Sequence, residues 1–173
     1  MFDEQKVWAW QLNPEGFTTK ITNNGGQLWV LGLKTEKEGT IIETTAGGQT
    51  EVLGGLIYPA SRGDLIPSQQ PAFINDESQL TIAGVGESRY NVGSYNILVE
   101  ETRNGVTETL LNDSNILRRG QGFEIPLYTG FEDSSGNLNQ APVAVNDSLT
   151  IDSIESIVID VLSNDSDRDG LLD

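Results

Sequence analysis

One eight-residue phrase occurs twice in this chain, and the short distance between its copies limits the folds available. Gly25-Gly26-Gln27-Leu28-Trp29-Val30-Leu31-Gly32 returns as Gly47-Gly48-Gln49-Thr50-Glu51-Val52-Leu53-Gly54, an offset of 22 residues. A weaker copy lies upstream: Val7-Trp8-Ala9-Trp10 sets against Leu28-Trp29-Val30-Leu31 at an offset of 21, and the same shift pairs Leu12 with Leu33 and Glu15 with Glu36. Thr19-Lys20-Ile21-Thr22 answers Thr40-Ile41-Ile42-Glu43 in the same way. A unit of this size is too small to bury its own apolar face, so such units stack and cover one another. Two chance hairpins are the alternative, and several identities over one lap favour the solenoid.

The contents of each lap are strand-like. Leu28 to Leu33, Ile41-Ile42 and Val52-Leu53 are short apolar runs between glycine, asparagine and charged stretches. No segment carries ten or more residues of helical periodicity. Stacked laps at the strand spacing of about 4.8 Å place equivalent side chains over one another. The expected stacks are Val30 on Val52, Leu31 on Leu53 and Ile21 on Ile42, with each Gly-Gly at a corner where φ is positive or Cβ has no room.

Residues 1–60 hold these laps, and in residues 61–130 the period fades into an irregular β cap. Pro59, Pro67 and Pro71 mark turns there, and Gln79 begins a strand. Asn104-Gly105 lies between two β-rich runs, Asn96 to Thr102 and Val106 to Leu110, which predicts a hairpin with a type I′ turn. Gly122 to Tyr128 is a last strand, and the cap covers unpaired backbone that a final lap would expose. Residues 131–140 form a polar linker, and residues 141–173 open a second module. Met1 is followed by acids rather than a signal core, and Asp173 falls inside a motif, so the chain reads as an internal slice or a truncated reading frame.

Composition removes whole classes of chemistry. The chain has no cysteine and no histidine, which excludes disulfides, thiolate or imidazole zinc sites, and His-dependent nucleophilic catalysis. A net charge of −16 argues against a nucleic-acid partner, which demands clustered Lys and Arg. No apolar run approaches the roughly 20 residues of a membrane span. The acids are uneven: residues 141–173 hold eight of them against one Arg, a net −7, leaving −9 for residues 1–140.

The acid-rich tail contains the strongest chemical motif. In Asp165-Ser166-Asp167-Arg168-Asp169-Gly170 alternate carboxylates converge on one point, and glycine permits the sharp turn. Calcium, a hard ion that takes six to eight oxygens, suits this set. Asp165, Asp167 and Asp169 count as ligands one, three and five, Leu171 offers its carbonyl at seven, and Asp173 stands at nine. A solvated acidic turn is the alternative. Without further ligands downstream, affinity is expected at or beyond ~10⁻⁴–10⁻³ M.

Other motifs carry less. Arg62-Gly63-Asp64 and Gly84-Val85-Gly86 read as a turn and a strand end, and Arg118-Arg119-Gly120 as a loop charge pair rather than an acidic-sugar contact. Asn112, Asn146 and Asn164 each begin Asn-Asp-Ser and read as turns. Trp8, Trp10 and Trp29 are expected to be buried or to pack at the end of the slice, with a sugar-stacking ladder as the alternative. No two acids are selected by spacing as a glycosidase pair, so no catalytic set emerges.

The stretch from Val7 to Pro59 resembles the last coils of pectate-lyase-superfamily proteins. Asn23 to Glu36 and Thr50-Glu51-Val52-Leu53-Gly54-Gly55 carry that likeness, which runs more loosely through Gly105-Val106-Thr107 to Tyr128. It implies an all-β fold: final coils of a right-handed parallel β-helix with a β-hairpin capping region, associated with polysaccharide. Nothing here matches that family's catalytic residues, so enzymatic activity is left open. Ala141-Pro142-Val143-Ala144-Val145-Asn146-Asp147-Ser148 and Ile159 to Gly170 resemble the opening half of a bacterial cadherin-like repeat, which implies an incomplete β-sandwich. The two likenesses together imply an extracellular or cell-surface protein. Calcium, polysaccharide or surface glycan, and further tandem repeats are its expected partners. A glycan-binding adhesin, or part of a lyase or hydrolase with its chemistry upstream, are the alternatives.

Overall fold

A computed structural model describes residues 1–59, 66–88, 94–113, 117–119, 122–130, 145–146, 148 and 162–166. Two compact units divide the chain, Met1–Phe131 and Glu132–Asp173. The described residues contain strands and no helix.

The first unit holds thirteen strands: β1 (Phe2–Asp3), β2 (Lys6–Ala9), β3 (Ile21–Asn24), β4 (Gln27–Val30), β5 (Leu33–Glu36), β6 (Ile42–Thr45), β7 (Gln49–Tyr58), β8 (Pro71–Asp76), β9 (Gln79–Glu87), β10 (Ile97–Arg103), β11 (Val106–Leu111), β12 (Leu117–Arg119) and β13 (Gly122–Tyr128). They form two sheets of mixed direction. The first runs β1-β3-β6-β8-β10-β11; the second runs β12-β13-β9-β7-β4-β2, with β5 also paired to β7. Up to β10 the chain alternates between the sheets, except that β5 follows β4 in the second, and each return lays a strand parallel to its predecessor.

The sequence repeat sets the register. Gln27 lies beside Gln49 and Val30 beside Val52, while Val7, Trp8 and Ala9 lie beside Leu28, Trp29 and Val30. Leu12 bridges Leu33, Glu15 bridges Glu36, and Ile21 faces Ile42. The corners behave as glycine corners must: Gly25 and Gly47 have φ of 66° and 72°, and a Cβ on Gly26 would meet the Gln5 carbonyl oxygen at 2.6 Å. The period does not fade after residue 60. It lengthens, because Gln49 faces Gln79, a lap of 30 residues instead of 22. The longer connection hides the repeat from a fixed-offset comparison.

Inward positions build an apolar core in rungs. Val30, Val52 and Ile82 form one, fully buried. Ile21, Ile42, Phe73 and Val99 form another in the opposite sheet. Leu31 and Leu53, the third expected stack, lie outside the core; they are 45% and 39% exposed. The pleat reverses side-chain direction at each step, so an inward Val30 or Val52 sends its neighbour outward.

One inward column is polar. Asn23, Thr44, Asn75 and Glu101 lie in register on four successive strands, and all are buried. Asn23 Nδ2 donates to the Gln49 carbonyl at 2.9 Å and to Thr50 Oγ1 at 2.9 Å, and Thr44 Oγ1 donates to the same Thr50 oxygen at 2.8 Å. These bonds tie one sheet to the other across the interior.

Parallel stacking ends in antiparallel strands. β10 turns through Asn104-Gly105, with φ of 52° and 75°, into β11, the hairpin that the sequence predicts. In the second sheet β13 lies antiparallel to β9 and β12 antiparallel to β13. Within the second unit, Val145 N donates to Asp165 Oδ1 at 2.7 Å, and Asp165 N donates to the Leu162 carbonyl at 3.2 Å.

Candidate functional site

The outward face of the second sheet collects the side chains most suited to binding. Lys6, Gln27, Gln49 and Gln79 form one column in register, and Trp8, Trp29, Glu51 and Thr81 form the next. Gln27 Nε2 donates to Gln49 Oε1 at 3.0 Å, as stacked amides do. The Trp8 and Trp29 rings stack at 5.2 Å between centroids with planes 3° apart.

Trp8 is 66% exposed and Trp10 83% exposed, so these two are not buried, while Trp29 is half-buried. The cause is alternation. Val7 and Ala9 sit over the inward Leu28 and Val30, which leaves Trp8 and Trp10 no place inside.

Beside Trp10 the face opens into a groove lined by Trp10, Gln11, Gly32, Leu33, Lys34, Gly54 and Gly55. Three successive laps supply it. Leu31 N donates to the Ala9 carbonyl, Leu12 N to the Gly32 carbonyl and Lys34 N to the Leu12 carbonyl, all at 2.8–2.9 Å, so the laps are held rigidly around it. Gly54, at φ 91°, bends β7 here. A Cβ on Gly55 would press on the Leu33 carbonyl oxygen at 3.0 Å, and Gly54 and Gly55 both line the groove without a side chain.

The groove borders a compact set of charges. Lys34 pairs with Glu36 and lies 4.0 Å from Glu15, and Lys37 Nζ lies 3.2 Å from Glu15 Oε2 and 5.3 Å from the Phe17 ring centre. Lys20 Nζ donates to the Lys37 carbonyl at 2.9 Å. Burial lowers the Lys20 ammonium to a pKa of about 8, against the opposing pull of Glu38 and Glu15, with Lys37 pushing the same way as burial.

Two buried carboxylates escaped sequence reading. Glu101, 2% exposed, accepts hydrogen bonds from Arg103 Nε and the Tyr128 hydroxyl, while Arg103 Nη2 donates to the Ser78 carbonyl at 2.9 Å. Glu87, 3% exposed, accepts from Ser94 Oγ and from Tyr95 N. The signal was present for Glu101: in an alternating strand, one of the adjacent pair Glu100-Glu101 must point inward. Both tyrosine hydroxyls are pushed well above their ordinary value, first by burial. For Tyr128 the bond to Glu101 adds to this, and for Tyr95 the charge of Glu87.

Of the proposed calcium ligands, Asp165 is half-buried and oriented by the Val145 amide, while Asp167, Asp169 and Asp173 lie outside the described residues. Arg62-Gly63-Asp64 also lies outside them. The backbone of Arg118 and Arg119 is in β12. Gly84 sits within β9 at φ 64° rather than at a strand end. Asn112 Nδ2 donates to the Tyr95 carbonyl and to Ser94 Oγ, both at 2.8 Å, contacts that reach 17 and 18 residues back along the chain. Compared with known proteins, the chain matches no family model, no curated protein and no solved structure.

Proposed function

We propose that this chain is the closing part of a right-handed parallel β-helix that binds polysaccharide outside the cell, followed by the start of a calcium-binding cadherin-like repeat. The observation that carries the reading is the in-register return of each lap, with Val30 beside Val52 and Gln27 beside Gln49. Such stacking creates a flat, extended face with repeating side chains, the kind of surface that suits a repeating polymer. Tryptophan and glutamine columns on that face supply the apolar ring contacts and amide hydrogen bonds that sugars use.

Within this reading the antiparallel strands β11, β12 and β13 close the coil, and the tail connects it to the next module. The role of the chain is binding and scaffolding. Glu87 and Glu101 are tied to neighbouring hydrogen-bond donors in the interior.

Sedimentation with insoluble polysaccharides tests the proposal. The protein is expected to deplete from solution with at least one polymer drawn from plant, fungal and bacterial cell walls. Full recovery in the supernatant with every polymer overturns the polysaccharide role.

A further inference from the structure

We infer that the groove beside Trp10 binds an uncharged sugar ring of a neutral polysaccharide. The inference rests on the polysaccharide reading and narrows it to one place and one chemical class. Trp10 contributes an almost fully exposed indole, and Gln11 an exposed amide on the adjacent residue. An apolar ring face with polar groups at its edge matches a pyranose, whose C–H face is apolar and whose rim carries hydroxyls.

The floor fits the same ligand. Gly32, Gly54 and Gly55 expose backbone from two laps and leave no side chain between a ligand and the sheet. The groove offers about 220 Å³ to a ligand. That is below the ~300–1,000 Å³ typical of small-ligand sites, which suits a single ring at an open surface rather than a longer segment.

Charge decides between neutral and acidic polymers. Lys34 is the cation in the lining, and Glu36 and Glu15 already answer it. A uronate would have to displace those carboxylates while approaching a molecule of net charge −16. A neutral sugar meets no such opposition, and its hydroxyls accept from Lys34 without breaking the pairs.

Affinity electrophoresis of the whole chain in native gels separates the outcomes. The gels contain soluble neutral β-glucan, galactomannan, or polygalacturonate. Retardation is expected in a neutral gel and not in polygalacturonate. Trp10→Ala is expected to weaken it about tenfold or more, and Gln11→Ala to weaken it less. Leu127→Ala, which removes an exposed apolar side chain on β13, is expected to leave it unchanged. Near-ultraviolet circular dichroism of each variant verifies the fold. Retardation that survives Trp10→Ala, or that occurs only with polygalacturonate, overturns the groove assignment and leaves polysaccharide binding standing. No retardation in any gel overturns the groove assignment, and the sedimentation experiment then decides the polysaccharide role.

Discussion

Tyr128 on β13 donates its hydroxyl hydrogen to the buried carboxylate of Glu101 on β10, joining the antiparallel end of one sheet to the other. Arg103 meets the same carboxylate and passes a further hydrogen bond to the Ser78 carbonyl. Removing the carboxylate therefore takes a partner from a guanidinium and a phenol at once, whereas removing the hydroxyl leaves the ion pair intact. Tyr128→Phe is expected to cost about 1–3 kcal/mol, and Glu101→Ala more than that. Urea unfolding measures both. Equal losses for the two variants would mean that Arg103 contributes nothing to the arrangement.

Val52 and Leu53 are neighbours that the repeat treats alike and the structure does not. Val52 is fully buried between Val30 and Ile82, while Leu53 is 39% exposed. Val52→Ala removes two buried carbons and leaves a gap in a rung, a loss of roughly 2 kcal/mol or more. Leu53→Ala is expected to stay within about 0.5 kcal/mol of the parent. A shift of the urea midpoint for Leu53→Ala as large as that for Val52→Ala would show that the pleat has been assigned to the wrong face.

The two residues also mark how far the sequence could be read. A fixed offset revealed the pairings Leu12 with Leu33, Glu15 with Glu36 and Ile21 with Ile42, because identical lap lengths repeat identical contacts. It did not reveal Gln49 with Gln79, since a longer connection changed the offset without changing the strand. Asn104-Gly105 was legible because its turn chemistry is local. The groove at Trp10 was not legible, because Trp10, Gly32 and Gly55 come from different laps and meet only after stacking. Outward Trp8 and Trp10 were open to inference from the alternation of Val7-Trp8-Ala9-Trp10, a weaker cue than the burial tendency of tryptophan.

Lys20 gives stability an unusual dependence on pH. Its folded pKa of about 8 lies below the ordinary lysine value of 10.5, so between these values the unfolded chain binds more protons. Stability from this group therefore rises as pH increases from about 8 to 10.5, because the buried ammonium that costs energy at neutral pH is lost. Tyr95 and Tyr128 act oppositely: their raised values hold protons that the unfolded chain releases, so their stabilisation is complete below pH 10 and declines above it. Urea midpoints at pH 7 and pH 9.5 should rise more for the parent than for Lys20→Met. An identical pH response in the two proteins would contradict a buried, depressed Lys20.

Calcium provides the last test, and it concerns the tail alone. Asp165 is oriented by the amide of Val145, with 2.7 Å between nitrogen and oxygen, so one carboxylate of the motif is held in place before any ion arrives. Asp167 and Asp169 follow at alternate positions in the sequence, and a cation that joins such carboxylates offsets the repulsion of like charges. Affinity in the ~10⁻⁴–10⁻³ M range of extracellular modules is expected. Calorimetry should detect this weak saturable binding, and simultaneous Asp165→Asn and Asp167→Asn should abolish it. Magnesium should bind less well, because it demands near-octahedral geometry and dehydrates reluctantly. Equal heats for calcium and magnesium, or for the parent and the double variant, would reduce the motif to a solvated acidic turn.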